Sequence, residues 1–418
     1  MHTVRLDEGL HRSVAPNGLI ILSERMPALR SVAMGIWVRT ASAHEPRAKM
    51  GVSHLLEHMV FKGTERRSAR QIALELEVRG GSLDAYTGRD NTSFQAHVLD
   101  EDLPLAVDIL TDLVRRPLLR HSDLVSERRV VIEEISGVED TPDDIVFDLH
   151  SGALWPAHPY GYTILGSRES VAALETDDLR AVHSAAYYPG NCVIAAAGNV
   201  DHAELLAVLA REGWFDEQDA RMPLPAVCPP PAAARVQRVE ERDTAQCHIV
   251  FGTDAFAARD QRRFGLAILC NVLGGGMSSR LFQRVREELG LAYTVYAYNQ
   301  LFQSGGQVGV YVGTQPASAG SAADAIRAEL DQLAAEGLTA RELDDGKQQL
   351  KGQIVLALEN PVSRMGRLVS GELMEGRYRP VDEVLGLVDA VTPAGVAELA
   401  AEFFPSARQA VLRLGPDA

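Results

Sequence analysis

Residues 54–58 read His-Leu-Leu-Glu-His. On an α-helix, positions four apart are neighbours on one face. His54 and His58 can therefore aim two imidazole nitrogens at one metal ion, and Glu57, a turn from His54, can reach a water held by that ion. Zn²⁺ takes nitrogen and oxygen donors at about 2.0–2.2 Å and, in catalytic sites, leaves one position open to water. It lowers the pKa of that water to roughly 7, and a nearby carboxylate can take the proton during attack on a carbonyl. The same residues could stand idle on the wet face of an amphipathic helix. Their neighbours argue against it. Leu55, Leu56, Met59, Val60 and Phe61 make the helix apolar around most of its circumference, and polar groups in such surroundings need a ligand or a hydrogen bond.

Two histidines need a third protein ligand. The helix-like stretch SDLVSERRVVIEEISGVED (122–140) offers Glu127, Glu133 and Glu134. Leu124, Val131, Ile135 and Val138 make its buried stripe at helical spacing. Glu134 borders that stripe, beside Val130, Val131 and Val138, whereas Glu133 falls toward Arg129, Ser126 and Gly137 on the wet side. Glu127 lies seven residues before Glu134, on nearly the same face. The expectation is Glu134 as ligand, Glu127 as the carboxylate that orients a ligand or the water, and Glu133 in solvent. The other histidines have no ligand spacing, and His97 on its alternating strand reads as a satisfied, partly buried residue.

These helices need a frame. LIILSE (19–24) and SVAMGIWVRT (31–40) read as strands, followed by the polar ASAHEPRAKM and the helix GVSHLLEHMVF. A similar order returns later: strand QCHIVFGT (246–253), polar DAFAARDQRRF, helix GLAILCNVL. Strand TSFQAHVLD and two helices likewise find an echo in GGQVGVYVGT and the two helices after it. Aligning Gly51 on Gly265 gives an offset of 214, and Asp123 on Glu342 an offset of 219. The pattern predicts an α+β protein whose two α+β halves, 1–215 and 237–418, arise by duplication; two unrelated α+β domains are the alternative. Residues 216–236, which include the Pro- and Ala-rich RMPLPAVCPPPAAARV run, read as an extended linker. With these offsets His54, Glu57 and His58 fall on Ile268, Asn271 and Val272, and Glu134 falls on Gln353, so only the first half can bind metal there.

Composition narrows the class. The chain has 418 residues, is 46% hydrophobic and carries a net charge of −16, which argues for a folded protein without a nucleic-acid or anionic-membrane partner. No stretch approaches the ~20 apolar residues of a membrane span. The start, MHTVRLDEGLHRSV, lacks the apolar core of a signal peptide, and the expectation is a cytoplasmic protein. The four cysteines form no CxxC pair, which fits a reducing compartment.

The chain resembles the pitrilysin/insulinase and mitochondrial-processing-peptidase family of zinc metallopeptidases, and most closely its bacterial processing-peptidase-like members. HLLEHMVFKGT (54–64) is similar to the family signature, an H-x-x-E-H order that reverses the H-E-x-x-H zincin motif. SERRVVIEEISGVEDTPDD (126–144) is similar to the segment that supplies the third ligand, the second Glu of its EE pair. GGSLDAYTGRDNTSF, HPYGYTILGS, YYPGN, LGGGMSSRLFQRVREELGLAYTVYAY and SRMGRL extend the resemblance over essentially the whole chain.

The resemblance implies a processing-peptidase-like metallohydrolase fold, α+β with two homologous α/β halves on mostly antiparallel sheets, and a zinc endopeptidase that cuts unfolded peptides, with one Zn²⁺ per chain. It implies that Arg286 and Tyr293, seven apart in VREELGLAY, reach the active site from the second half and donate to a substrate carbonyl or oxyanion. It marks Gly80–Thr87 as an edge strand where Asp84 and Ala85 pair with an extended peptide. Asp84 and Phe94 stand where relatives commonly show Asn and Tyr. It also implies a homodimer, with Arg286 and Tyr293 acting within one chain or across the pair. The alternative is a non-catalytic or partner-dependent subunit of such an assembly. Such subunits usually lose motif residues, and this chain keeps all four. LGGG (273–276) lacks a phosphate-loop signature and reads as a flexible or tight turn.

Overall fold

The computed structural model describes residues 1–216 and 221–416. Residues 217–220, near the start of the expected linker, lie outside the described residues. From 221 to 236 the chain has neither helix nor strand. It is nevertheless anchored: Arg221 stacks on the Tyr188 ring at 3.9 Å, and the Leu224 N–H donates to Asn191 Oδ1 at 3.0 Å.

Seven strands form the first sheet: β1 (His2–Asp7), β2 (Leu10–Val14), β3 (Ile20–Arg25), β4 (Ser31–Val38), β5 (Ser82–Thr87), β6 (Thr92–Leu99) and β7 (Cys192–Gly198). Their order is β1-β2-β3-β7-β4-β6-β5. Every neighbouring pair is antiparallel except β3 with β7. The second sheet has β8 (Gln237–Glu241), β9 (Cys247–Ala255), β10 (Ala292–Leu301), β11 (Gly306–Thr314) and β12 (Ala410–Gly415), in the order β10-β11-β9-β12-β8. Here the single parallel pair is β12 with β8. The expected α+β architecture of mostly antiparallel sheets is what the chain adopts.

Alternate residues of a strand point to opposite faces. In the first sheet Ile21, Met34, Ile36 and Ile194 face a core shared with Leu55, Leu56 and Met59. Leu22, Ala33, Trp37, Val193 and Ala195 face the other way, onto Met365, Leu368 and Val369 of the helix Pro361–Glu375. Burial on both faces explains why β4 and β7 read as nearly continuous apolar runs. The second sheet repeats the plan. Ile249, Phe251 and Val310 line its main core, and Val250, Leu412 and Leu414 face Val146 of the helix Pro142–Leu154.

The two compact units are therefore discontinuous in sequence. One comprises Met1–Ile135, Thr163–Val227 and Ala357–Arg379; the other comprises Ser136–Tyr162, Cys228–Leu356 and Pro380–Ala418. Relative to the linear division at 215 and 237, each half of the sequence lends one covering helix to the other half's sheet. The physical reason is that an amphipathic helix requires an apolar partner, and chain order does not say which sheet provides it.

Of Leu273–Gly276, only Gly275 and Gly276 lie in the expected turn. Gly274 is the last residue of the helix Arg263–Gly274, and a Cβ there would stand 2.2 Å from the Ala297 nitrogen of β10. The glycine lets helix and strand touch. Cys192, Cys247 and Cys270 are buried, Cys228 is exposed, and all four are free thiols. Among the described residues no single helix is long and apolar enough to cross a membrane.

Candidate metal centre

The helix Val52–Val60 carries both histidines. It begins at Gly51, whose φ of +88° favours glycine, and a Cβ there would lie 2.5 Å from the Leu165 carbonyl oxygen. The first helical N–H groups have no intrahelical acceptor. Glu45 supplies one: its carboxylate accepts from the Gly51 N–H at 2.8 Å and the Ser53 N–H at 2.7 Å. Negative charge at a helix N-terminus also suits the helix dipole. Burial nevertheless pushes the Glu45 carboxyl up to about 6. Leu55, Leu56, Met59 and Val60 are fully buried and fasten the helix to the sheet. Cutting one such leucine to alanine costs about 2–5 kcal/mol. His54, Glu57 and His58 occupy the remaining, half-buried face.

Glu134 comes from the helix His121–Glu139. Its Oε2 lies 3.7 Å from His54 Nε2 and 3.6 Å from His58 Nε2. One donor atom from each of these residues lies within 4.8 Å of the others. A tetrahedral ion with bonds of about 2.1 Å separates its donors by ~3.4 Å, so the spacing fits zinc. Glu134 Oε2 is buried with no hydrogen-bond partner, an arrangement that costs free energy unless something else binds it. Burial, helped by His58, lowers the His54 pKa to about 4 and keeps its ring neutral, the form that ligates. Two imidazole nitrogens and a carboxylate oxygen are a donor set that zinc accepts.

The neighbours complete the centre. His58 Nδ1 lies 3.3 Å from Glu127 Oε2, and Lys62 Nζ sits 2.7 Å from Glu127 Oε1. A proton on Nδ1 would leave Nε2 free for metal, and Glu127 Oε2 is placed to accept that proton in a hydrogen bond. Glu57 accepts a hydrogen bond from the Thr87 hydroxyl. Burial raises the Glu57 pKa, against the opposing pull of Thr87 and His58. Glu133 is exposed, as the periodicity predicts. Val138, expected in the buried stripe, is half-buried, because that stripe thins toward the end of its helix.

Asp84 and Ala85 lie on β5, the edge of the first sheet beyond β6. Asp84 is exposed and Ala85 half-buried. Arg286 and Tyr293 belong to the second unit. Arg286 sits on the π-helical turn Phe282–Glu288, with its guanidinium 4.6 Å from the Tyr293 ring and 4.5 Å from the Phe282 ring. Tyr293 is the second residue of β10 and is 75% exposed. His97 departs from expectation, because its buried Nε2 has no hydrogen-bond partner among the described residues. Glu45, Lys62 and Thr87 were not singled out from sequence. Their roles come from contacts between separate elements, which local spacing does not encode.

The family model described as insulinase (peptidase family M16) matches residues 20–168, and that described as peptidase M16 inactive domain matches residues 173–350. A protein of Bacillus subtilis described as an uncharacterized zinc protease is 38% identical over 395 residues, covering 94% of this chain and 96% of its own. One of Streptomyces coelicolor, described likewise, is 38% identical over 397 residues, 94% of this chain and 86% of its own. Among solved structures, a peptidase M16 inactive domain from Pseudomonas fluorescens superposes with a TM-score of 0.90 at 19% identity, covering 98% of both chains. A protease from Helicobacter pylori gives 0.89 at 20% identity, over 97% of this chain and 99% of its own. These two likenesses speak to fold alone.

Proposed function

The chain belongs to peptidase family M16, and from that premise we propose that it is a zinc-dependent endopeptidase acting on unfolded peptides. The observation that carries the reading is the convergence of His54, His58 and Glu134 around a buried, unpartnered carboxylate oxygen. These three residues would hold one zinc ion per chain. Bound there, zinc supplies a Lewis acid that polarises the scissile carbonyl and acidifies a water.

The remaining work falls to side chains of this protein. Glu57 takes the proton of the attacking water and later passes it to the departing amine. Glu127 holds His58 in the ligating tautomer. The main chain at Asp84 and Ala85 pairs with an extended peptide, which favours unfolded over folded substrates. Arg286 and Tyr293 donate to the substrate carbonyl or the oxyanion. Two chains associate, and the protein works in the cytoplasm. The match of residues 173–350 to an inactive-domain model supports placing the chemistry in the first half.

The test compares the protein with Glu57→Gln for zinc content and for cleavage of a quenched, unstructured peptide library. Zinc in both, with cleavage lost only in the variant, is the expected result. No zinc in the parent after reconstitution would overturn the reading. Zinc in both with cleavage by neither would favour the partner-dependent or non-catalytic subunit.

A further inference from the structure

Thr87 is the last residue of edge strand β5 and pairs with Thr92 of β6. Along β5 the side chains alternate. Ser82, Asp84 and Tyr86 are exposed, Leu83 and Ala85 are half-buried, and Thr87 is only 4% exposed. Thr87 thus shares the inward face of Leu83 and Ala85. Its hydroxyl points at the histidine helix and donates to Glu57 Oε2. Branching at Cβ stiffens its χ1, and the ladder to β6 fixes its backbone, so the hydroxyl is presented from a rigid mount. Thr92, opposite, is pinned in turn, donating through Oγ1 to the Thr40 carbonyl at 3.1 Å.

One residue therefore belongs to the strand available for peptide pairing and also grips the carboxylate placed to act as base. A glutamate has three side-chain torsions, and an ungripped one would sample several orientations. We propose that Thr87 is a positioning residue, through which edge strand β5 holds the Glu57 carboxylate in register with a peptide bound along that strand. This inference rests on the peptidase reading above. Thr87 would act through Glu57, the group its hydroxyl holds. Misplacing a reacting group by about 1 Å can cost ~100-fold in rate.

The test uses full-length, zinc-loaded protein. Thr87→Val keeps the shape and removes the hydroxyl; Thr87→Ser keeps the hydroxyl. For Thr87→Val the expected result is a fall in kcat of about 10–100-fold with KM within ~2-fold. Zinc content and the affinity of metal-stripped protein for a fluorescent unstructured peptide should match the parent. Thr87→Ser should recover kcat to within ~3-fold. If Thr87→Val melts early, Thr87→Ala replaces it as the hydroxyl-free variant. Unchanged kcat without the hydroxyl would overturn the proposal. So would equal losses in the valine and serine variants, or a loss carried by peptide affinity, which would mark a damaged strand. A parent protein that holds zinc and cleaves nothing would instead sink the peptidase reading, and this proposal with it.

Discussion

Two helix pairs occupy corresponding places in the two units, and they are filled in opposite ways. In the first, Val52–Val60 and His121–Glu139 bring together His54, His58, Glu127 and Glu134. In the second, the same offsets place Ile268, Val272, Gly346 and Gln353 on Arg263–Gly274 and Ala340–Ala357. Gly346 is buried, and a Cβ there would meet Ile268 Cγ2 at 2.9 Å and Val272 Cγ2 at 3.0 Å. Asn271, the counterpart of Glu57, donates through Nδ2 to Gln353 Oε1 at 3.1 Å. The second pair closes on itself: apolar groups touch and the amides satisfy each other. The first leaves Glu134 Oε2 and His54 Nδ1 buried without partners. One frame thus serves packing in one unit and offers ligands in the other. The unsatisfied atoms, more than the frame, mark the candidate site.

Making the first pair like the second should have the largest effect. His58→Val installs the counterpart residue, and metal analysis should find no zinc retained and no peptide cleavage. Making the second like the first should destabilise. Gly346→Glu, which copies Glu127 into the second pair, forces a carboxylate between Ile268 and Val272, and denaturant titration should show a loss of ~3 kcal/mol. An unchanged midpoint would mean that the second pair is not close-packed. Glu127→Gln weakens the hold on His58, and competition with a chelator should report a 10–100-fold fall in zinc affinity, with activity following. The smallest effect concerns how the two first helices begin. Arg262, the N-cap of Arg263–Gly274, offers no side-chain cap, whereas Val52–Val60 rests on Glu45. The buried Glu45 carboxyl keeps its proton up to about 6, against an ordinary 4.5, so over that window the native state binds a proton that the unfolded chain has released. Stability therefore falls as pH rises from about 4.5 to 6, by at most roughly 2 kcal/mol. Denaturant midpoints of metal-stripped protein should show that slope, and Glu45→Gln should flatten it.

Local features were the legible ones. His54 and His58 stand one helical turn apart, and the choice of Glu134 over Glu133 follows from which side of a helix is apolar. The strands around 20–25, 31–38 and 247–255 announce themselves by apolar, β-branched runs. Long-range contacts were not legible. Thr87 is one of many threonines until β5 folds against the histidine helix, and Glu45 is one of many acids until the loop before Gly51 turns back. The exposed strand β1 escapes a sequence reading because HTVRLD buries almost nothing and so carries little pattern.

The exchanged covering helices make covalent continuity and structural completeness separate matters. A fragment 1–227 would keep the helix Pro142–Leu154 but lack the sheet on which it packs, and it would leave Leu22, Trp37 and Val193 bare for want of Pro361–Glu375. The fragment from 228 onward would have the mirror-image defect. Neither piece is an autonomous module, yet each carries what the other lacks. Severed at the linker, the polypeptide should behave as a split protein: each piece should aggregate when made alone, and co-expression should restore a soluble complex.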